Sequence, residues 1–161
     1  MIILGIDPGT AIVGYALIKK DARTGSASLI DSGAIRPETK DASLRLLEIH
    51  SALKKLMNIY RPDLISLEKI FFSKNIKTAL GVAEARGVIL LTAKLEKIKV
   101  CEYAPNEVKL AVTGYGKANK KQVKEMMKIL LKEKELPTLD DVTDAMAIAF
   151  TALGASIQKM S

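Results

Sequence analysis

The sequence predicts an α/β fold in which helices flank a mixed five-stranded sheet, and three observations carry that expectation. Three apolar runs separated by turn chemistry open the chain, at 2–7, 13–19 and 27–36. From residue 42 onward, apolar residues recur at helical spacing and alternate with two more short apolar runs, at 64–68 and 98–103. The last third reads as helices, so the order is βββαβα followed by helices.

Each element has a local reason. Residues 2–7 (IILGID) end in an acid and meet Pro8-Gly9-Thr10, which makes a buried strand with a carboxylate at its end. Asp21 to Gly25 supplies the hairpin between the second and third strands. Over 42–60 the residues Leu46, Ile49, Leu53, Leu56 and Tyr60 line one helical face, and Arg61-Pro62 ends the pattern. The strand 64–68 (LISLE) again finishes in an acid. A long helix follows over about 76–96, then the strand 98–103. Pro105 suits the first turn of a short helix reaching about Val112. The segment 114–118 (GYGKA) is a loop by its glycines, and a basic helix spans about Asn119 to Glu133. A final helix, capped by Thr138, runs to about Leu153.

The 161 residues fit one domain, 1–161, and leave no room for a two-lobed architecture. Apolar residues are 48% and charged residues 27%, the balance of a folded globular chain. Cys101 stands alone, so no internal disulfide forms and a reducing, cytoplasmic setting is expected. The N-terminus meets an acid too early for a signal-peptide core, and no apolar run approaches the ~18 residues of a membrane span. With 25 Lys and Arg against 18 Asp and Glu, a formal charge of +7 favours a polyanionic partner.

The residues that demand chemistry are Asp7, Glu68 and Asp144, acids in apolar surroundings, with Asp141 one turn before the last. A carboxylate at an apolar position must be paired, hydrogen-bonded, metal-bound or protonated, because desolvation otherwise costs several kcal/mol. Asp7 and Glu68 end strands, and ligands of open α/β sheets bind beyond the carboxyl ends of strands. A final helix packed across that edge brings all four together. Clustered oxygens suit Mg²⁺ or Mn²⁺, while His50 and Cys101, each the single residue of its kind, disfavour zinc. Singly, each acid has a plainer reading: an Asx-turn at Asp7, a surface pair with Lys69 or Lys74 for Glu68, and first-turn dipole acids at Asp140 and Asp141. An acidic cluster in a basic protein nevertheless reads as a metal nuclease, in which two divalent ions activate a water and stabilise the leaving oxygen.

Four motifs in order resemble the RuvC family of Holliday-junction resolvases: ILGIDPGT at 3–10, LEKIFF at 67–72, ARG at 85–87 and DVTDAMAIA at 141–149. The resemblance spans nearly the whole chain. It implies an RNase H-like fold and a homodimer that nicks two strands of a four-way DNA junction symmetrically, in recombination and repair. It also implies a site of Asp7, Glu68, Asp141 and Asp144 holding two Mg²⁺, with Mn²⁺ able to replace them, and partnership with the branch-migration proteins RuvA and RuvB. On that basis Asp7 bridges both ions, Glu68 serves the leaving-group side, and Asp141 with Asp144 serves the water side. Some family members carry His at the position of Asp141, and Asp140 is a neighbour able to substitute.

The resemblance also marks Phe71 as an aromatic that stacks on bases, beside Lys74 and Asn75, and Lys109 and Lys120 as basic residues near the site. Lys117, Lys121, Lys124, Lys128 and Lys132 continue a stripe, of which Lys117, Lys120, Lys121 and Lys124 are expected to meet phosphates. The small residues Ala79, Gly81, Ala83, Ala85 and Gly87 suit close packing on the sheet and, by the resemblance, a dimer contact. Two alternatives remain: a YqgF-like RNase H-fold nuclease acting on RNA, and a module that binds junctions without cutting them. An actin-like or sugar-kinase reading of the Asp-Pro-Gly-Thr loop needs a second lobe that this length does not supply.

Overall fold

Side chains of successive strand residues alternate between faces, and that alternation divides the molecule into two layers. In the computed structural model, which describes residues 1–9, 11–69 and 76–158, ten elements follow in the expected order. They are β1 (Ile2–Asp7), β2 (Val13–Lys20), β3 (Ala27–Ile35), α1 (Ala42–Tyr60), β4 (Leu64–Glu68), α2 (Ile76–Leu95), β5 (Lys99–Tyr103), α3 (Pro105–Thr113), α4 (Lys120–Leu131) and α5 (Asp140–Gln158). The sheet runs β3-β2-β1-β4-β5, with β1, β2 and β3 antiparallel in sequence and β1, β4 and β5 parallel. This is the mixed α/β architecture of the RNase H-like fold.

Leu4, Ile6, Leu17, Ile65 and Leu67 point to one face, where α1 and α2 contribute Ile49, Leu53, Ala85 and Ile89. Ile3, Ala16 and Ile18 point to the other, where α3, α4 and α5 supply Val108, Met127, Met146 and Ile148. Each fully buried Leu, Ile or Met is worth about 1.5–3 kcal/mol, so the sheet is held from both sides.

Local chemistry fixes the ends. The Asp21 carboxylate accepts from the amides of Arg23 (3.0 Å) and Thr24 (2.7 Å), while Gly25 takes φ +71°, and the expected hairpin closes. Asp41 caps α1 by accepting from Leu44 N at 2.9 Å. Asn119 and Gln122 exchange side-chain to backbone bonds at the start of α4, a capping box. The cap expected for α5, Thr138, is displaced. The amides of Val142 and Thr143 both bond the Leu139 carbonyl, so Leu139, not Thr138, stands at the cap position, and the helix runs on to Gln158 rather than stopping near Leu153. The small, apolar 145–153 face continues to find cover under the sheet, with Leu153 still buried. Among the described residues no helix is long and apolar enough to cross a membrane.

The contact that positions α5 is unusually close. A Cβ at Gly5 would stand 2.6 Å from Ala149 N and 2.7 Å from Ala149 Cβ, and one at Gly14 would stand 3.0 Å from Asp141 Cβ, with the Asp141 carbonyl nearer still. Ser66 Oγ, fully buried on β4, donates to the Ile148 carbonyl at 2.7 Å. Glycine, serine and alanine therefore let the helix backbone lie on the strands. Gly5→Ala is expected to cost about 1–3 kcal/mol or more by overpacking, and thermal unfolding should show Tm lowered by about 2–12 °C. An unchanged Tm would contradict this packing.

Candidate active site

Asp7 and Glu68 are the last residues of two adjacent parallel strands, one step beyond the Ile6–Leu67 pair. Both alternate onto the α5 face, in line with Gly5 and Ser66. Asp7 is in register with Gly14, and the backbone of Asp141 rests on Gly14, which sets the first turn of α5 over the strand end. Asp144 follows one turn on, facing the same cleft. That cleft, of about 290 Å³, is lined by Glu68, Asp144, Lys109, Lys120, Val108 and Ile148 among others. Glu68 and Asp144 line this cleft, and Asp7 and Asp141 lie near enough for their charges to act with them.

Their charges act on one another. The Asp7 carboxyl is pushed up to about 7, first by burial and then by the negative charges of Asp144, Glu68 and Asp141. Burial and Asp144 also raise Glu68, against the pull of Lys109 and Lys120. Asp144 is raised by burial, although the Lys120 ammonium holds it back. Lys120 Nζ donates to Asp140 Oδ2 and Asp144 Oδ2, both at 3.2 Å. Burial works against the Lys120 charge, yet Asp144 and Asp140 together keep its pKa above the ordinary lysine value.

The basic residues divide. Lys109 and Lys120 stand at the carboxylates. Lys117 and Lys121 are exposed, whereas Lys124 donates to the Pro137 carbonyl at 3.1 Å and so braces the loop before α5. Phe71 and Lys74 lie outside the described residues. Asp140 is solvent-facing, with 63% of its side chain exposed; it accepts from Lys120, and its charge also helps to raise Asp144. On α2, Ala85 is buried but Gly87 is open, with nothing within 4 Å of a Cβ built there. Sequence reasoning overlooked Gly5, Gly14 and Ser66 as the residues that aim α5; glycines inside strand patterns were the available signal.

Oxygen-only donors that repel one another fit a hard divalent cation, and the Lys120 ammonium on Asp144 occupies part of that electrostatic role. Among the described residues no three His, Cys, Asp or Glu side chains already form a finished metal cage. The carboxylates act on one another through their charges.

An RNase H-like sheet whose strand ends and final helix present acids under a basic rim defines the nuclease class of this fold. Residues 3–152 match the family model of crossover junction endodeoxyribonuclease RuvC. The chain is 50% identical over 150 residues to the crossover junction endodeoxyribonuclease RuvC of Halothermothrix orenii, covering 92% of this chain and 90% of that one. It superimposes on a Thermus thermophilus RuvC structure with a TM-score of 0.89 at 30% identity, over 98% of this chain and 97% of that one. A T. thermophilus RuvC in complex with Holliday junction substrate gives 0.87 at 28% identity, covering 98% and 96%. This chain belongs to the RuvC family of crossover junction endodeoxyribonucleases.

The raised Asp7 carboxyl links stability to pH. Its folded value of about 7 lies above the ordinary 3.8, so between those values the folded protein holds a proton that the unfolded chain releases. Stability contributed by the neutral carboxyl is present at low pH and is lost as pH rises through about 7. In metal-free buffer at pH 8, Asp7→Asn should therefore be more stable than the unsubstituted protein, by up to about 4 kcal/mol at roughly 1.4 kcal/mol per pKa unit. Urea titrations should show that difference shrinking toward pH 4; a difference that grows on acidification would contradict the assignment.

Proposed function

We propose that this chain resolves four-way DNA junctions by metal-dependent phosphodiester hydrolysis, with Asp7, Glu68, Asp141 and Asp144 as the metal-holding and catalytic acids. The observation that carries this reading is that these four carboxylates act on one another's charge at the strand ends, Glu68 and Asp144 sharing a cleft with Lys109 and Lys120, in a chain of the crossover junction endodeoxyribonuclease family. A related RuvC has been seen in complex with Holliday junction substrate.

Two Mg²⁺ ions, with Mn²⁺ as a replacement, would supply the activated water and the stabilisation of the leaving oxygen. The chain's own residues do the rest. Strand-end placement fixes Asp7 and Glu68, whose backbones sit in a sheet packed on both faces. Asp141 and Asp144 arrive on a helix seated on Gly5 and Gly14. Lys120 offsets the charge of Asp144, and Lys109 that of Glu68, which lowers the repulsion a DNA phosphate meets on approach. Exposed Lys117 and Lys121 hold phosphates further out. Because Asp7 holds its proton more tightly than an ordinary carboxyl, a proton there would compete with a bound cation, and activity should fall as pH is lowered.

Symmetric nicking of two like strands requires two sites, and hence a homodimer. The outer face of α2 supports one: Leu80 (63% exposed), Leu91 (58%) and Leu95 (60%) lie on it with open Gly87. Residues 1–161 are taken as one nuclease domain working in the cytoplasm beside RuvA and RuvB.

The deciding test is cleavage of an end-labelled mobile junction with Mg²⁺ and with EDTA, beside linear duplex. Paired nicks that need both metal and junction are expected. Asp7→Asn should lower cleavage by more than the roughly 100-fold that losing a residue merely orienting a metal ligand costs, while retaining junction binding. Full activity in that variant would sink the site. Tight binding without cleavage would favour the non-cutting module, and absence of junction preference the RNA-directed alternative. Replacing Lys117 and Lys121 together by Gln should reduce the log–log salt slope of binding by about 1.8, roughly 0.9 for each phosphate contact; an unaltered slope would remove them from the DNA surface.

A further inference from the structure

Tyr115 is unlike the other described aromatic side chains. Tyr15 and Tyr60 bond Asp31 with their hydroxyls, at 3.3 and 2.9 Å, and Tyr103 and Phe150 pack against the core. Tyr115 is 57% exposed. Leaving a large aromatic in water forgoes burial worth several kcal/mol elsewhere.

The segment that carries it is held firmly at both ends. Gly114 takes φ +74° and its amide bonds the Leu110 carbonyl at 2.8 Å, which ends α3 and turns the chain outward. Thr113 Oγ1 donates to the Lys109 carbonyl (2.8 Å) and accepts from the Tyr115 amide at 3.1 Å. The Ala118 amide bonds the Tyr115 carbonyl at 3.0 Å, and Ala118 itself is buried. Gly116 passes close to Asn106, where a Cβ would meet its carbonyl at 3.4 Å. A pinned backbone therefore presents an unburied ring.

Its neighbours indicate the ligand. Lys109, before the loop, and Lys120, after it, both line the carboxylate cleft, and exposed Lys117 is two residues away. An exposed aromatic on the loop that joins the helix of Lys109 to the helix of Lys120, both lysines of the acidic cleft, suits a nucleobase, since every base offers a π-face and the cations meet its phosphates.

Resting on the reading of the chain as a junction nuclease, we infer that Tyr115 is a base-stacking residue that grips an unpaired or splayed nucleotide of the strand entering the cleft. The loop from Thr113 to Asn119 acts as its mount, and its rigidity lowers the entropy lost on binding. Stacking needs the ring and not the hydroxyl, so Phe at this position serves equally well.

The test uses four-way junctions carrying 2-aminopurine at single positions on either side of the nick, bound in EDTA, together with cleavage of the same junctions in Mg²⁺. The unsubstituted protein should quench one of these positions. Tyr115→Ala should relieve that quenching and lower kcat/KM by roughly 5- to 150-fold, the range given by loss of one base–aromatic stack, with Tm unchanged because the side chain is exposed. Tyr115→Phe should restore both readouts. Unaltered fluorescence and cleavage in Tyr115→Ala would overturn the inference, as would equal losses in the Ala and Phe variants, which would point to the hydroxyl. A protein that binds but does not nick would overturn the junction-nuclease reading alone, since the fluorescence comparison still decides Tyr115; failure to bind any junction would overturn both.

Discussion

The backbone of α5 lies directly on β1 and β2, and the carboxylate site exists because of that contact. Two acids on strand ends and two on a helix come together only if helix and sheet approach more closely than side chains ordinarily permit. Gly5 and Gly14 remove the obstructing Cβ atoms, Ala145 and Ala149 keep the helix face shallow, and Ser66 adds a buried hydrogen bond to the Ile148 carbonyl. Packing and chemistry meet in one pair: Gly14 is in register with Asp7 on one side and carries the backbone of Asp141 on the other. Close-packed interiors do not deform continuously, so a methyl group at either glycine displaces the helix that bears half of the site.

Much of the fold was legible because its signals were local. Hydrophobic alternation, helical periodicity and the turn residues Asp21, Gly25, Arg61-Pro62 and Gly114 recovered all ten elements in order, with ends displaced by a few residues. The cap of α5 was misread because Thr138 is a good capping residue by composition, whereas the helix geometry starts two residues later, with Leu139 at the cap. The sheet order β3-β2-β1-β4-β5 depends on pairings distant in sequence, which periodicity does not encode.

The acids themselves were legible for a different reason: charge at the end of an apolar strand contradicts its surroundings, and a contradiction of that kind is a signature of function. Their relations were not. Nothing in the spacing of Lys120 from Asp144 announces that its ammonium bonds Asp144 and Asp140 at once. The basic stripe read as a single surface, but the structure divides it into Lys120 at the acids, Lys117 and Lys121 in solvent and Lys124 tied to Pro137. Lysines are long enough that their ammonium groups are placed by tertiary neighbours rather than by sequence position.

The site is therefore a strained arrangement maintained by its frame. Like charges crowd a partly dry cleft, and Asp7 reaches a pKa of about 7 because the fold withholds both water and enough positive charge. Lys120 offsets some of this, at Asp7 as well as at its partners Asp140 and Asp144, but at Asp7 burial and three neighbouring negative charges outweigh it. A frame that depended on the acids for its stability would be weakest where it must be most rigid. Here the burden falls elsewhere, on the apolar face of α5, where Ala145, Met146, Ile148 and Ala149 are at most 1% exposed, and on the two-sided core of β1 and β4. The helix is thus seated by packing, and the negative charge it brings to the strand ends is only partly offset by Lys120.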